Sequence, residues 1–150
     1  MPLDGDRKPF LVAPHGANSF AAGGRLSPDG RWLAYSSNES GQSEVYVVPF
    51  RGGQGKWQVS QSGGNGPLWS ADGKGLYYAN LSYTVFEVPV KQLNDSLQFG
   101  TAEQLVSNTS SQLFFYDVAP DGSKILLNVI SQQVNQSITV VTNWAEELKK

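Results

Sequence analysis

SPDGRWLAY, residues 27–35, returns as SADGKGLYY at 70–78 and as APDGSKILL at 119–127. One unit is therefore repeated about three times. The aspartates Asp29, Asp72 and Asp121 lie roughly 40 to 50 residues apart, the period of four-stranded propeller blades and not of helical solenoids. Each copy turns at an Asp-Gly pair, Asp29-Gly30, Asp72-Gly73 and Asp121-Gly122, between two apolar runs. That arrangement predicts a hairpin, because Asp and Gly both tolerate the positive φ that a tight turn needs.

A third strand aligns in every copy: VYVVPF at 45–50, VFEVPV at 85–90 and ITVVTN at 138–143. These runs are dense in β-branched and aromatic residues, which suit a pleated, buried surface. Pro49 and Pro89 fall late in them, where a lost ladder hydrogen bond costs least. A fourth strand follows in two copies only, KWQVS at 56–60 and EQLVS at 103–107. The third copy runs instead into TNWAEELKK at 142–150, where Asn143 is a cap, helix formers follow and lysines close the end, predicting a short helix or tail. The missing fourth strand is at the other end of the chain, where RKPFLV at 7–12 repeats the basic-then-apolar shape of KWQVS.

The expected fold is all-β, a β-propeller of four-stranded antiparallel blades with three blades per chain. Residues 7–12 form an orphan fourth strand, 24–60 blade one, 66–107 blade two and 113–142 blade three without its fourth strand; 143–150 are a short C-terminal helix or tail. Propellers commonly complete one blade with strands from both chain ends, which removes an exposed edge. Three blades fall short of the roughly four to eight that a ring requires. Two partners would supply the remainder: a second copy, in a homodimer closing a six-bladed ring with residues 7–12 of each chain completing the other's last blade, or the rest of a longer polypeptide from which this segment is cut.

Composition supports a packed domain, with 39% hydrophobic residues and four tryptophans among 150 residues. No apolar run approaches the ~20 residues that span a bilayer, and no charged start precedes an apolar stretch, so this segment is expected to make no membrane contact. The net charge of −2 comes from interspersed acids and bases, which argues against nucleic acid as a partner. Without cysteine there is no disulfide, thiolate metal site or cysteine nucleophile, and the compartment stays open.

Residues 27–50, SPDGRWLAYSSNESGQSEVYVVPF, resemble the WD40-like repeats of TolB-type β-propellers, and the resemblance extends over nearly the whole chain. GDRKPF at 5–10, YVVPF at 46–50, KWQVS at 56–60, FYDVAPDG at 115–122 and ITVVTNW at 138–144 are, as a set, similar to the C-terminal propeller portion of large bacterial serine/threonine protein kinases. In such proteins the propeller follows a kinase domain, usually across a membrane segment, and is a sensing or protein-interaction module. The resemblance thus implies a bacterial, extracytoplasmic setting. None of the kinase's catalytic motifs is in this segment, so no catalysis carries over.

Candidate sites are few. Asp29, Asp72 and Asp121 sit where turns select Asp for its own backbone hydrogen bonding, so no metal is assigned to them. His15, the only histidine, lacks the G-x-S-x-G segment of a propeller-bearing hydrolase. The glycine-rich 63–66 opens no helix and is read as an interblade loop, not a phosphate cradle. Trp32, Trp57, Trp69, Tyr77 and Tyr78 sit inside strands and are read as core. Functional loops are expected on one face of the ring, at 17–23, 37–43, 61–66, 79–82, 108–112 and 130–136. Arg25, Leu68 and Asp117 hold equivalent first-strand positions. By alternation they should line the central channel, while their neighbours Leu26, Trp69 and Val118 pack between blades. The expected function is a non-catalytic module for protein or ligand binding or sensing, with no cofactor; the competing readings are an enzyme with its site at the channel mouth and a self-assembling structural unit.

Overall fold

The computed structural model describes residues 10–13, 19–107, 112–130 and 138–142. Among them there are twelve β-strands and no helix, arranged in three antiparallel sheets. Each sheet holds one copy of the repeat.

The first sheet runs β1 (Ala21–Leu26), β2 (Trp32–Ser37), β3 (Glu44–Pro49) and β4 (Trp57–Gln58), paired in that order. β2 and β3 are buried along almost their whole length, as their apolar and aromatic composition predicts. The third sheet runs β10 (Gln112–Val118), β11 (Lys124–Ile130) and β12 (Ile138–Thr142). The tail over 143–150 lies outside the described residues.

The second sheet departs from the expected four strands. β5 (Asn65–Trp69), β6 (Gly75–Ala79), β7 (Val85–Leu93) and β8 (Ser96–Phe99) pair in sequence, and β9 (Glu103–Val106) pairs back on β7. β7 thus serves two partners: Val85–Glu87 pair with β9, and Val90–Leu93 with β8. Pro89 marks the changeover, since it has no N–H for a ladder bond. Beyond it the strand continues, folds back at Asn94 (φ 51°), and returns to Gly100, whose N–H donates to the Pro89 carbonyl at 2.8 Å. The extra hairpin is not idle. Val90 and Leu97 are buried in the core, and the Arg31 guanidinium reaches across from the first sheet to the Asp95 carboxylate (2.9 Å) and the Asn94 carbonyl (3.1 Å).

Successive side chains of a strand point to opposite faces, so each sheet has a leading face toward the next repeat and a trailing face toward the previous one. The leading face of the first sheet (Trp32, Ala34, Val45, Val47) packs on the trailing face of the second (Leu76, Tyr78, Val88). The leading face of the second (Tyr77, Ala79, Val85) packs in the same way on the trailing face of the third (Tyr116, Ile125, Leu127). Trp32, Tyr77, Tyr78 and Tyr116 are therefore inter-sheet packing, and within the first sheet Trp32 meets Trp57 edge-on at 5.5 Å.

Among the described residues, two faces have no sheet against them. On the trailing face of the first sheet, Tyr35, Tyr46 and Val48 form a small cluster with Leu33, Val12 and Ala13. Residues 10–13 form no strand in the single chain; Phe10 rests on Phe50, ring centroids 5.7 Å apart. Residues 7–9 of the expected orphan strand lie outside the described residues. On the leading face of the third sheet, Lys124, Leu126 and Asn128 are exposed.

Candidate functional site

The three first strands β1, β5 and β10 are each bent by a bulge. The register shifts between Ala22 and Arg25, between Asn65 and Leu68, and between Leu113 and Phe115. A bulge bends its strand and re-aims the side chains beside it. In β5 the bulge falls on Gly66, whose φ of +60° an ordinary residue adopts only with strain. Gly66 also joins all three sheets. Its N–H donates to the Ser36 hydroxyl (3.2 Å) and its carbonyl accepts the Tyr116 hydroxyl. Burial pushes the Tyr116 phenol far above its ordinary pKa, so it stays a protonated donor.

Around this junction the bulges open a cavity of about 270 Å³. Arg25 and Gly23 of β1, Asn65 to Leu68 of β5, and Phe115 and Tyr116 of β10 line it, and the turn after β6 closes it with Asn80, Leu81 and Tyr83. That turn is clamped: the Asn80 side-chain oxygen accepts the N–H groups of Ser82 (2.9 Å) and Thr84 (3.0 Å), and Tyr83 is held at φ 60°. Leu81 and Phe115, at the cavity mouth, are 59% and 54% exposed. Arg25 makes no ion pair among the described residues; its guanidinium donates only to the neighbouring Gly24 carbonyl, at 3.3 Å.

The loops expected to converge do so in part, for 17–23, 61–66 and 79–82 all contribute to the cavity. Of the three equivalent first-strand residues, Arg25 and Leu68 line it and Asp117 does not. Arg25, Leu68 and Asp117 pair across from Ala34, Tyr77 and Leu126, which places all three on leading faces. Leu68 accordingly packs into the core between the second and third sheets. Asp117 is exposed beside the uncovered face, its carboxylate accepting the Val118 N–H at 2.9 Å. Trp69 and Val118 pack between sheets as expected; Leu26 is 45% exposed, because the trailing face it shares with Leu33 has no neighbouring sheet. Phe115, Tyr116 and Tyr83 were not anticipated. The available signal was the run Phe114-Phe115-Tyr116, since three consecutive large aromatics cannot all point into one core from a regular strand.

The Asp-Gly turns are held from within. Asp29 accepts the Arg31 N–H (3.1 Å) and the Ser27 hydroxyl, Asp72 the Lys74 N–H (3.0 Å) and the Ser70 hydroxyl (2.7 Å), and Asp121 both the N–H (3.0 Å) and the hydroxyl (2.7 Å) of Ser123. Asp72 and Asp121 border one open cleft with Glu87, but among the described residues no three His, Asp or Glu side chains converge to hold a metal. His15 lies outside the described residues.

No protein-family model matches the chain, and no curated protein does. Solved structures match over most of it. A TolB-like protein from Agrobacterium tumefaciens superposes with a TM-score of 0.64 at 17% identity over 89% of this chain and 48% of its own. The fold is that of a TolB-type β-propeller. An oligogalacturonate lyase from Vibrio parahaemolyticus (TM-score 0.55, 15% identity, 75% of this chain, 29% of its own) and a candidate 6-phosphogluconolactonase from Bacteroides fragilis (0.51, 15%, 87% and 44%) share the architecture. The chain thus spans half or less of the length of these structures. At such identities the propeller fold is what is shared.

Proposed function

We propose that the chain is a non-catalytic β-propeller module that binds another molecule, a protein or a small ligand, at the cavity of its first strands. The convergence of three bulged strands on one apolar and aromatic cavity carries this reading. Its polar lining is one guanidinium, two amides and two phenols. Such groups hold and orient a ligand; they are not the carboxylate and imidazole groups that most often move protons in catalysis. The setting in this reading is the one implied by the resemblance to the propeller portion of bacterial serine/threonine kinases, a sensing module of a larger signalling protein. The repeated leading-on-trailing packing supports working as part of a closed ring, in which a second copy covers both free faces and makes six blades.

A fragment screen followed by amide NMR tests the cavity. Hits are expected to converge on the amides of Gly66, Asn80 and Tyr83, and to be lost in Leu81→Glu, an exposed position whose change leaves the melting temperature within a few degrees. Hits that map instead to the cleft of Asp72, Asp121 and Glu87, or substrate turnover, would contradict it.

A further inference from the structure

We propose that the cavity recognises a carboxylate carried on an apolar or aromatic body; this rests on the binding-module reading above. The lining contains one cation, Arg25, and no acid. Its remaining polar groups are already sorted by what they have left to offer. The side-chain oxygen of Asn80 is consumed by two backbone N–H groups, which fixes the amide's orientation and leaves its NH₂ to donate. The side-chain oxygen of Asn65 takes the Ser43 hydroxyl at 2.6 Å, leaving that amide in the same state. The Gly66 carbonyl and the Tyr116 hydroxyl satisfy each other. The Tyr83 hydroxyl has no partner among the described residues, and Arg25 can only donate. The guanidinium and the two amide NH₂ groups can only donate, and the acceptors that remain are the phenol oxygens and a carbonyl already bonded once, so donors prevail and favour a ligand rich in acceptors.

The charge count narrows the choice. One guanidinium presents a planar fork that matches the two oxygens of a carboxylate. A phosphate, carrying up to about two charges, would call for further cations that the lining does not hold. The rest of the wall, Pro67, Leu68, Leu81 and Phe115, is apolar, so the carboxylate should be borne on a body that buries against them. At about 270 Å³ the space lies just under the roughly 300 Å³ at which drug-sized ligands begin. It suits a single ring or branched side chain.

The test uses 3-phenylpropionate, its uncharged amide and N-acetylphenylalanine, titrated into the intact chain while amide shifts are followed. The acids should move Gly66, Asn80 and Tyr83 saturably, and the amide should bind about tenfold or more weakly, as expected for loss of a charge-assisted pair. Arg25→Gln should bring 3-phenylpropionate down to the amide's affinity. Added salt should weaken the acids and leave the amide unchanged. Preference for N-acetylphenylalanine would indicate a chain terminus as the source, and preference for 3-phenylpropionate a free acid; either supports the class. Equal binding of acid and amide, or an Arg25→Gln variant that binds the acid as before, would overturn the carboxylate and leave the cavity as a binding site. If neither probe shifts the cavity amides of the folded chain, both readings fall.

Discussion

Ser27 and Ser70 perform the same task in two copies of the repeat, each hydroxyl donating to the turn aspartate while accepting an N–H from the strand that follows (3.0 Å from Trp32, 2.8 Å from Gly75). Ala119 replaces them in the third copy, where Ser123 supplies the hydroxyl from the other side of Asp121. These bonds favour the ionised carboxylates. Asp72 is held below 3.8 chiefly by the Lys74 N–H and then by the Ser70 hydroxyl, and Asp121 by the Ser123 hydroxyl and then its N–H. A depressed folded-state pKa contributes stability that is present above the unfolded value and lost as pH falls through the folded one. The melting temperature should therefore be flat in the neutral range and drop as pH falls below 3.8, less steeply in a double Asp72→Asn, Asp121→Asn variant. Equal acid dependence in variant and parent would contradict this. Glu44 was not legible in the sequence. At the start of β3 it resembles a solvent-facing residue, yet it is 1% exposed, with its carboxylate accepting the Ser60 hydroxyl, the Gly63 N–H (3.0 Å) and the Gln42 amide. Two of those partners come from the far side of β4, and only the pairing of β3 with β4 brings them together. Glu44→Gln turns one acceptor into a donor facing donors, at a cost of about 1–3 kcal/mol. Denaturant titration should show the lower midpoint with an unchanged m-value.

Among the elements, the hairpin of β7 and β8 shows where pattern reading stopped short. Strands one to three of each copy were readable because Asp-Gly turns and β-branched runs recur in register. The hairpin occurs once, so no repeat exposes it, and Pro89 reads as the end of a strand when it is only a change of partner. Its two kinds of contact should differ in weight. Leu97 is buried in the core between the first two sheets, and Leu97→Ala should cost about 2–5 kcal/mol. The Arg31–Asp95 ion pair is solvent-exposed, and Asp95→Ala should change stability by no more than about 1 kcal/mol. Paired chemical denaturation of the two variants checks the contrast; similar losses would contradict the greater weight given to the core. The cavity was legible to the extent that loop convergence and Arg25 were. Its aromatic wall was not, because the bulge that turns Phe115 outward appears only once β10 and β11 are paired.

At the scale of the molecule, two interfaces obey one rule and two faces await it. The trailing face of the first sheet keeps Tyr35, Tyr46 and Val48 under the thin cover of Val12 and Ala13, with Leu26 left exposed beside them. The leading face of the third presents Leu126, 38% exposed, where the equivalent Ala34 and Tyr77 of the other sheets are fully packed. Apolar positions of this kind are usually covered. In the proposed homodimer, the third sheet of one copy would dock on the first sheet of the other, repeating the existing packing twice. Leu126→Asp should abolish that pairing while each chain stays folded, since the side chain lies outside both inter-sheet cores. The decisive measurement is the mass of the purified chain in solution by sedimentation equilibrium. Twice the 16.3 kDa of one chain, falling to 16.3 kDa in Leu126→Asp, is the expected result; a well-folded 16.3 kDa species across the accessible concentrations would contradict ring closure by a second copy.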